Sequence, residues 1–187
     1  VMLDGLPDIE MRRRFANAYH RAAIRLCDSR VLSALARLRG INLPVFPGSD
    51  LTAYLISECF DERVKVAIVG GSVISLTKLQ ALFPLPNFVQ FVPPMGVLNN
   101  PNAIAEITDF LSDAQADFVL IAIGAPQSEI IAEICSCDGR FGGVSLCIGA
   151  SIEFLTGDKQ RAPIWIQHLS LEWAYRLLTE PRRLWRR

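Results

Sequence analysis

Four short segments carry residue types that could receive a diphosphate: Gly70-Gly71-Ser72, Pro93-Pro94-Met95-Gly96, Gly124-Ala125-Pro126-Gln127 and Gly149-Ala150-Ser151. Ser128 directly extends the third of them. Each segment follows a short apolar run and leads towards a helix-like stretch. Glycine lets a phosphate approach the backbone closely, and the first turn of a helix offers unpaired N–H groups at the positive end of its dipole. A single glycine of this kind equally serves a tight turn. Four on one edge of a fold favour a shared ligand.

The commoner phosphate-binding arrangements are excluded. Gly70-Gly71-Ser72-Val73-Ile74-Ser75 lacks the third glycine of a dinucleotide fingerprint. Nor is there an Asp or Glu between Val64 and Ala105 to hold a ribose. No Gly-Lys-Ser/Thr triplet exists, so there is no P-loop, and no Asp-x-Asp pair offers a carboxylate handle for a divalent ion. A diphosphate bound here is therefore held by dipoles and arginines, with no metal ligands and no cofactor. Cys135-Ser136-Cys137 lacks the paired spacing of a zinc module. His20 and His168, the only histidines, fall in helical stretches and read as surface or core residues.

The elements that must position these segments alternate between strand-like and helix-like patterns. Ile9 to Leu26 has Met11, Phe15, Ala18 and Ala22 at helical spacing, and Val31 to Leu38 predicts a second helix ended by Gly40. Asp50 is placed to cap a third helix running to Phe60. Strands are predicted at Val64–Val69, Phe88–Val92, Phe118–Ile123 and Val144–Ile148, with helices from Ser72 to Leu82, from Asn102 to Leu111 and after Pro126. Strand, glycine- or proline-bearing turn and helix recur in this order. The fold class is α/β: a Rossmann-like, mostly parallel sheet with helices on both faces. In such a sheet the loops at the carboxyl ends of the strands bind ligand.

The chain has 187 residues, enough for one domain with a substantial core. Lys+Arg and Asp+Glu are both 19, which argues against a basic surface coating nucleic acid. Hydrophobic residues make up 51%, excluding disorder, while the longest apolar runs fall short of the roughly 18 residues of a membrane span. No signal-peptide pattern opens the sequence, and a first residue of Val reads as the interior of a longer protein. The five cysteines, an odd number in apolar segments, read as reduced and mostly buried thiols. Charge is uneven along the chain. Lys159 to Arg187 holds seven basic residues against two acidic ones, together with Trp165, Trp173 and Trp185. The expected organisation is a Rossmann-like domain over 1–158 and a helical basic segment over 159–187. Trp185, Arg182, Arg183, Arg186 and Arg187 suit a membrane surface, indole at the headgroups and guanidinium on phosphate. A packed helix with solvated arginines is the competing reading.

The stretch from Cys147 to Pro163 contains Gly149-Ala150-Ser151, Phe154, Gly157 and Arg161-Ala162-Pro163, and is followed by Leu171-Glu172-Trp173 and Glu180-Pro181-Arg182-Arg183. With Asp28-Ser29-Arg30, Gly48-Ser49-Asp50-Leu51, Pro93-Pro94-Met95-Gly96 and Gly124-Ala125-Pro126 in order, the chain resembles the WecG/TagA/CpsF glycosyltransferases of bacterial surface-polysaccharide synthesis, in particular the GumM-like branch. The resemblance covers about Phe15 to the end.

It implies an inverting, metal-independent transfer from a UDP-sugar to a polyprenyl-diphosphate-linked sugar, by a cytoplasmic protein peripheral on the inner face of the plasma membrane. A catalytically inactive UDP-sugar or lipid-linked-sugar binder is the alternative, and a nucleotide oxidoreductase is a more distant rival. Self-association is left open. Spacing alone favours reading Asp28 as an N-cap for the helix near Val31, and the resemblance reverses that preference by assigning it as the general base; partial burial after the apolar helix and Cys27 is expected to help it. Asp50 reads as the cap of its own helix. Arg161, supported by amides of the Gly70 and Gly124 loops, is the candidate to stabilise the departing diphosphate, a structural salt bridge being its other reading. The chain departs from the family pattern at Val45-Phe46, where an arginine is usual, and at Ser128, where a glutamine is usual.

Overall fold

The computed structural model describes residues 8–159 and Pro163. Three helices open the chain: α1 (Ile9–Arg21), α2 (Arg30–Arg37) and α3 (Gly48–Tyr54), the last continuing as a π-helical turn over Leu55–Cys59. Then follow β1 (Lys65–Gly70), α4 (Val73–Leu82), β2 (Asn87–Phe91), a 3₁₀ turn (Val97–Asn99), α5 (Pro101–Ala114), β3 (Phe118–Ala122), α6 (Gln127–Asp138), β4 (Val144–Cys147) and α7 (Ser151–Leu155).

The four strands form one sheet in the order β2-β1-β3-β4, with every pairing parallel. Parallel neighbours need crossovers, and here each is a helix, so the central strands β1 and β3 are buried on both faces. The continuous Val66-Ala67-Ile68-Val69 and Val119-Leu120-Ile121 runs are the sequence correlate of that burial. Ala67, Val69, Val119 and Ile121 face Ile107 and Leu111 of α5 and Ile131 and Cys135 of α6. Val66, Ile68 and Leu120 face the opposite way, onto Leu79 of α4, Ile152 of α7, and Ile56 and Phe60. The α/β class with helices on both faces is thus as the alternation of patterns predicts.

Local chemistry sets the boundaries. Ser72 caps α4, its Oγ accepting from Ser75 N at 3.1 Å. Asn100 caps α5, its Oδ1 accepting from Ala103 N at 3.3 Å, with Pro101 at the first position.

Three expectations are corrected. α1 ends at Arg21, not Leu26, because Ala22 turns out of the helix and Cys27 instead forms a parallel bridge with Val45. Asp50 does not cap its helix: α3 begins behind Pro47, and Asp50 lies within its first turn. The cysteines are not mostly buried, since only Cys135 is; Cys27 is half-buried and Cys59, Cys137 and Cys147 are exposed. Apart from Lys159 and Pro163, the expected helical segment over 159–187 lies outside the described residues.

Candidate functional site

The chain leaves β1 for β2 on one side, then crosses back to β3 on the other. At such a reversal the two flanking crossovers run to opposite faces, leaving a crevice outside the carboxyl ends of the central strands. The loops at that point are Gly70-Gly71-Ser72 after β1 and Gly124-Ala125-Pro126 after β3.

Gly70 is the last residue of β1 and pairs with Ala122. Its φ is +98°, and a Cβ there would lie 2.8 Å from the Ala122 carbonyl oxygen. Only glycine fits such an approach of two backbones. The loop is then held from outside. Gln90 on β2 donates through Nε2 to Gly70 O at 2.8 Å and to Ser72 O at 3.2 Å. Ser72 Oγ lies 2.8 Å from Ser75 Oγ, and Ser75 donates to Asp158 Oδ2 at 3.0 Å. Asp158 also accepts from Thr156 at 2.7 Å and pairs with the Lys78 ammonium. These contacts hold its carboxyl below the usual carboxylate range, the Lys78 hydrogen bond first and those of Thr156 and Ser75 with it.

On the β3 side, the Ala125–Pro126 peptide is cis and Ser128 N donates to Gly124 O at 3.1 Å. α6 has no side-chain cap at Pro126. Gln127 is half-buried, whereas Ser128 is buried and gives its hydroxyl proton to Glu129 Oε2 at 3.0 Å.

The outer loops share this edge because all strands run the same way. Met95, after β2, is fully exposed, and Gly96 (φ +75°) starts the 3₁₀ turn. Gly149, after β4, precedes Ser151, whose Oγ donates to Ile148 O at 2.6 Å. A Cβ on Gly48 would stand 4.0 Å from that Oγ, so the start of α3 lies beside the β4 loop. The structure therefore brings Gly70, Gly71, Ser72, Met95, Gly96, Gly124, Pro126, Gln127 and Gly149 to one edge.

Asp28 belongs to the segment before α2. The residue capping α2 is Ser29, whose Oγ accepts from Leu32 N at 3.1 Å, so the cap reading of Asp28 is corrected. The expected partial burial is corrected too: Asp28 is exposed. Among the described residues its carboxylate has no hydrogen bond or ion pair. Its neighbour Cys27 is bridged to Val45, and Cys27 O accepts from Phe46 N at 2.8 Å. From Phe46 the chain needs two residues to reach Gly48. The Val45-Phe46 departure thus supplies backbone that links the Asp28 segment to the start of α3 and so to the β4 loop.

Arg161, Arg182, Arg183, Trp185, Arg186 and Arg187 lie outside the described residues. The approach to Arg161 is anchored on α4 by Asp158, and Lys159 pairs with Glu153 at 3.4 Å. The other Glu153 oxygen is buried with no partner among the described residues. Among those residues no group of three or more His, Cys, Asp or Glu side chains could hold a metal ion, and no helix is long and apolar enough to cross a membrane.

Sequence reasoning missed Gln90 and Asp158. Gln90 sits one residue before the end of a strand, and only the register beside β1 shows its reach. Asp158 lies 83 positions from Ser75, a separation no periodicity spans. A shallow open depression between Asp117 and Gly143 lies at the amino edge of β3 and β4, away from all these loops. Its carboxylate is committed, Asp117 Oδ2 accepting from Lys65 N at 2.8 Å. Compared with known families, the chain matches the model of the Glycosyl transferase WecG/TagA/CpsF family over residues 3–187.

Proposed function

The chain belongs to the WecG/TagA/CpsF glycosyltransferase family, and from that premise we propose that it moves a sugar from a UDP-sugar to a polyprenyl-diphosphate-linked acceptor, with inversion. The observation that carries this reading is the exposed carboxylate of Asp28, without a partner among the described residues, on a segment tied to the glycine-loop edge. A base must be free to receive a proton. Asp158, Glu153 and Asp117 are each engaged by a cation or an amide, whereas Asp28 has no such contact among the described residues.

The reaction is a single displacement. Asp28 takes the proton of the acceptor hydroxyl as its oxygen attacks the anomeric carbon, and the bond from that carbon to the UDP oxygen breaks on the opposite side. Such a base contributes about 100- to 10,000-fold. Negative charge develops on the leaving diphosphate, where Arg161 and amides of the Gly70-Gly71-Ser72 and Gly124 loops stabilise it. The carboxylate pairs that bind a divalent ion are lacking in these loops, which supports metal-independent transfer.

The proposed setting is exopolysaccharide or related surface-polysaccharide synthesis. The protein is peripheral on the inner face of the plasma membrane, with Trp185 and Arg182, Arg183, Arg186 and Arg187 contributing contacts. A thermal-shift series with UDP and UDP-sugars, chelator present, tests the donor site, because a ligand of the native state raises Tm by mass action. Asp28→Asn is expected to abolish transfer and keep the UDP shift. No shift with any UDP compound overturns the donor assignment. A UDP shift without transfer by the unaltered protein favours the non-catalytic binder.

A further inference from the structure

We infer that the surface around α2 docks on an anionic lipid bilayer and sets Asp28 at the membrane interface. α2 is oriented against the usual rule. Its buried residue is Ser33, whose hydroxyl donates to Leu43 O at 2.6 Å. Its apolar side chains point outward: Leu32 is 52%, Leu35 56% and Leu38 84% exposed, flanked by exposed Val31 and Ile41. A patch of aliphatic side chains this continuous marks an interaction surface.

The charge around it selects the partner. From Ser29 to Gly40, the stretch that forms α2 and its flanks, there are three arginines, no lysine and no acid, for a net +3. Arg30, Arg37 and Arg39 are exposed on α2 and its C-terminal turn, with no partner among the described residues. A second copy of the chain seated on this face would set these three arginines against the same three. A nucleic acid would pair with the arginines and leave the leucines in water. An anionic bilayer satisfies both, taking aliphatic side chains at the acyl boundary and guanidinium groups on lipid phosphate.

Asp28 immediately precedes the Ser29 cap of α2. Docking this surface therefore holds the carboxylate at the height of the headgroups, where the sugar of a lipid-linked acceptor lies; this last consequence rests on the function proposed above.

The test is flotation of the complete chain with vesicles of phosphatidylcholine alone or mixed with phosphatidylglycerol. Two variants are compared, Leu32→Ser/Leu35→Ser/Leu38→Ser and Arg30→Gln/Arg37→Gln/Arg39→Gln, both retaining residues 164–187 so that any contribution from that segment is constant. Circular dichroism and Tm establish that each is folded. Partitioning onto the anionic vesicles is expected to fall about a hundredfold in the arginine variant and at least about tenfold in the leucine variant. Unchanged partitioning in either overturns the inference. So does a dimer in sedimentation that the leucine variant dissociates. Transfer to a water-soluble acceptor analogue is expected to stay at the unaltered rate in both. Absence of that transfer in the unaltered chain counts against the proposed function, while flotation still decides the docking.

Discussion

Ser75 gives its hydroxyl proton to Asp158 at 3.0 Å, which makes Ser72 the donor in the 2.8 Å contact between the two serines. A hydroxyl has one proton to give. The order is therefore Ser72 to Ser75 to the Asp158 carboxylate, and Ser72 Oγ keeps a lone pair for Ser75 N. Chains of this kind polarise one another and fix rotamers. Here they fix the hydroxyl that closes the Gly70-Gly71-Ser72 loop, using a residue from beyond α7.

Replacing Asp158 with Asn removes the charge that Lys78 faces and keeps the shape. Because the folded carboxyl is held below its ordinary value, its contribution to stability is complete above the unfolded value of about 3.9 and is lost as pH falls through the folded one. The Tm gap between the parent and Asp158→Asn is expected to be level from neutral pH down to about 4 and to close below it. A gap that persists unchanged at the acid end contradicts the assigned ionisation. Differential scanning calorimetry across pH reads it directly.

Gly70→Ala meets a different obstacle. Positive φ alone penalises alanine, and the added methyl carbon must also clear the Ala122 oxygen at 2.8 Å. A loss of about 1–3 kcal/mol is expected, visible as a lower urea midpoint. The β1–β3 register is displaced where the diphosphate site is proposed, so the Tm shift given by UDP is expected to shrink as well. Gly139→Ala, also at positive φ but with open space around its Cβ, separates the clash from the backbone preference.

The extent to which this architecture was legible in the sequence follows the range of the forces involved. Val66 to Val69 and Val119 to Ile121 are buried on both faces, and an unbroken apolar run advertises that condition. Ser72 and Asn100 act on amides three residues away, so their capping roles are readable locally. Asp28 misled the local reading because Ser29, its neighbour, is an equally good cap and stands one residue nearer the helix. Gln90 and Asp158 were invisible for another reason. Each acts across the sheet or between layers, and nothing in the spacing of their neighbours encodes that contact. The burial expected for the cysteines failed where apolar context in sequence did not become interior in space: Cys59 ends a surface turn, and Cys147 lies on the edge strand β4.

The thiols offer a probe of local opening. Burial first, and Asp138 nearby second, push the Cys135 thiol up to about 11, whereas Cys59 and Cys137 are exposed. At mild alkaline pH, Cys59 and Cys137 are expected to react with a disulfide reagent within the mixing phase. Cys135 is expected to wait for unfolding, because the thiolate is the reactive form and access is blocked. Its labelling rate with increasing denaturant then reports opening of the α6–sheet interface. Prompt labelling of Cys135 in the native protein would contradict its burial between α6 and β3.

Asp28 and Ser29 allow stability and chemistry to be separated at adjacent positions. Ser29→Ala removes the hydroxyl that accepts from Leu32 N at 3.1 Å and is expected to cost about 1 kcal/mol. Asp28→Asn touches no described partner and is expected to alter stability by less than about 0.5 kcal/mol, while transfer falls about 100- to 10,000-fold. The two effects should cross: the serine variant less stable with transfer largely kept at low temperature, the aspartate variant as stable as the parent and inactive. A thermal melt and a transfer assay on the same preparations suffice. If Asp28→Asn were the destabilising change, the carboxylate would be structural and a base would have to be sought elsewhere on the carboxyl edge. If Ser29→Ala lost transfer without losing stability, the hydroxyl would itself be touching substrate.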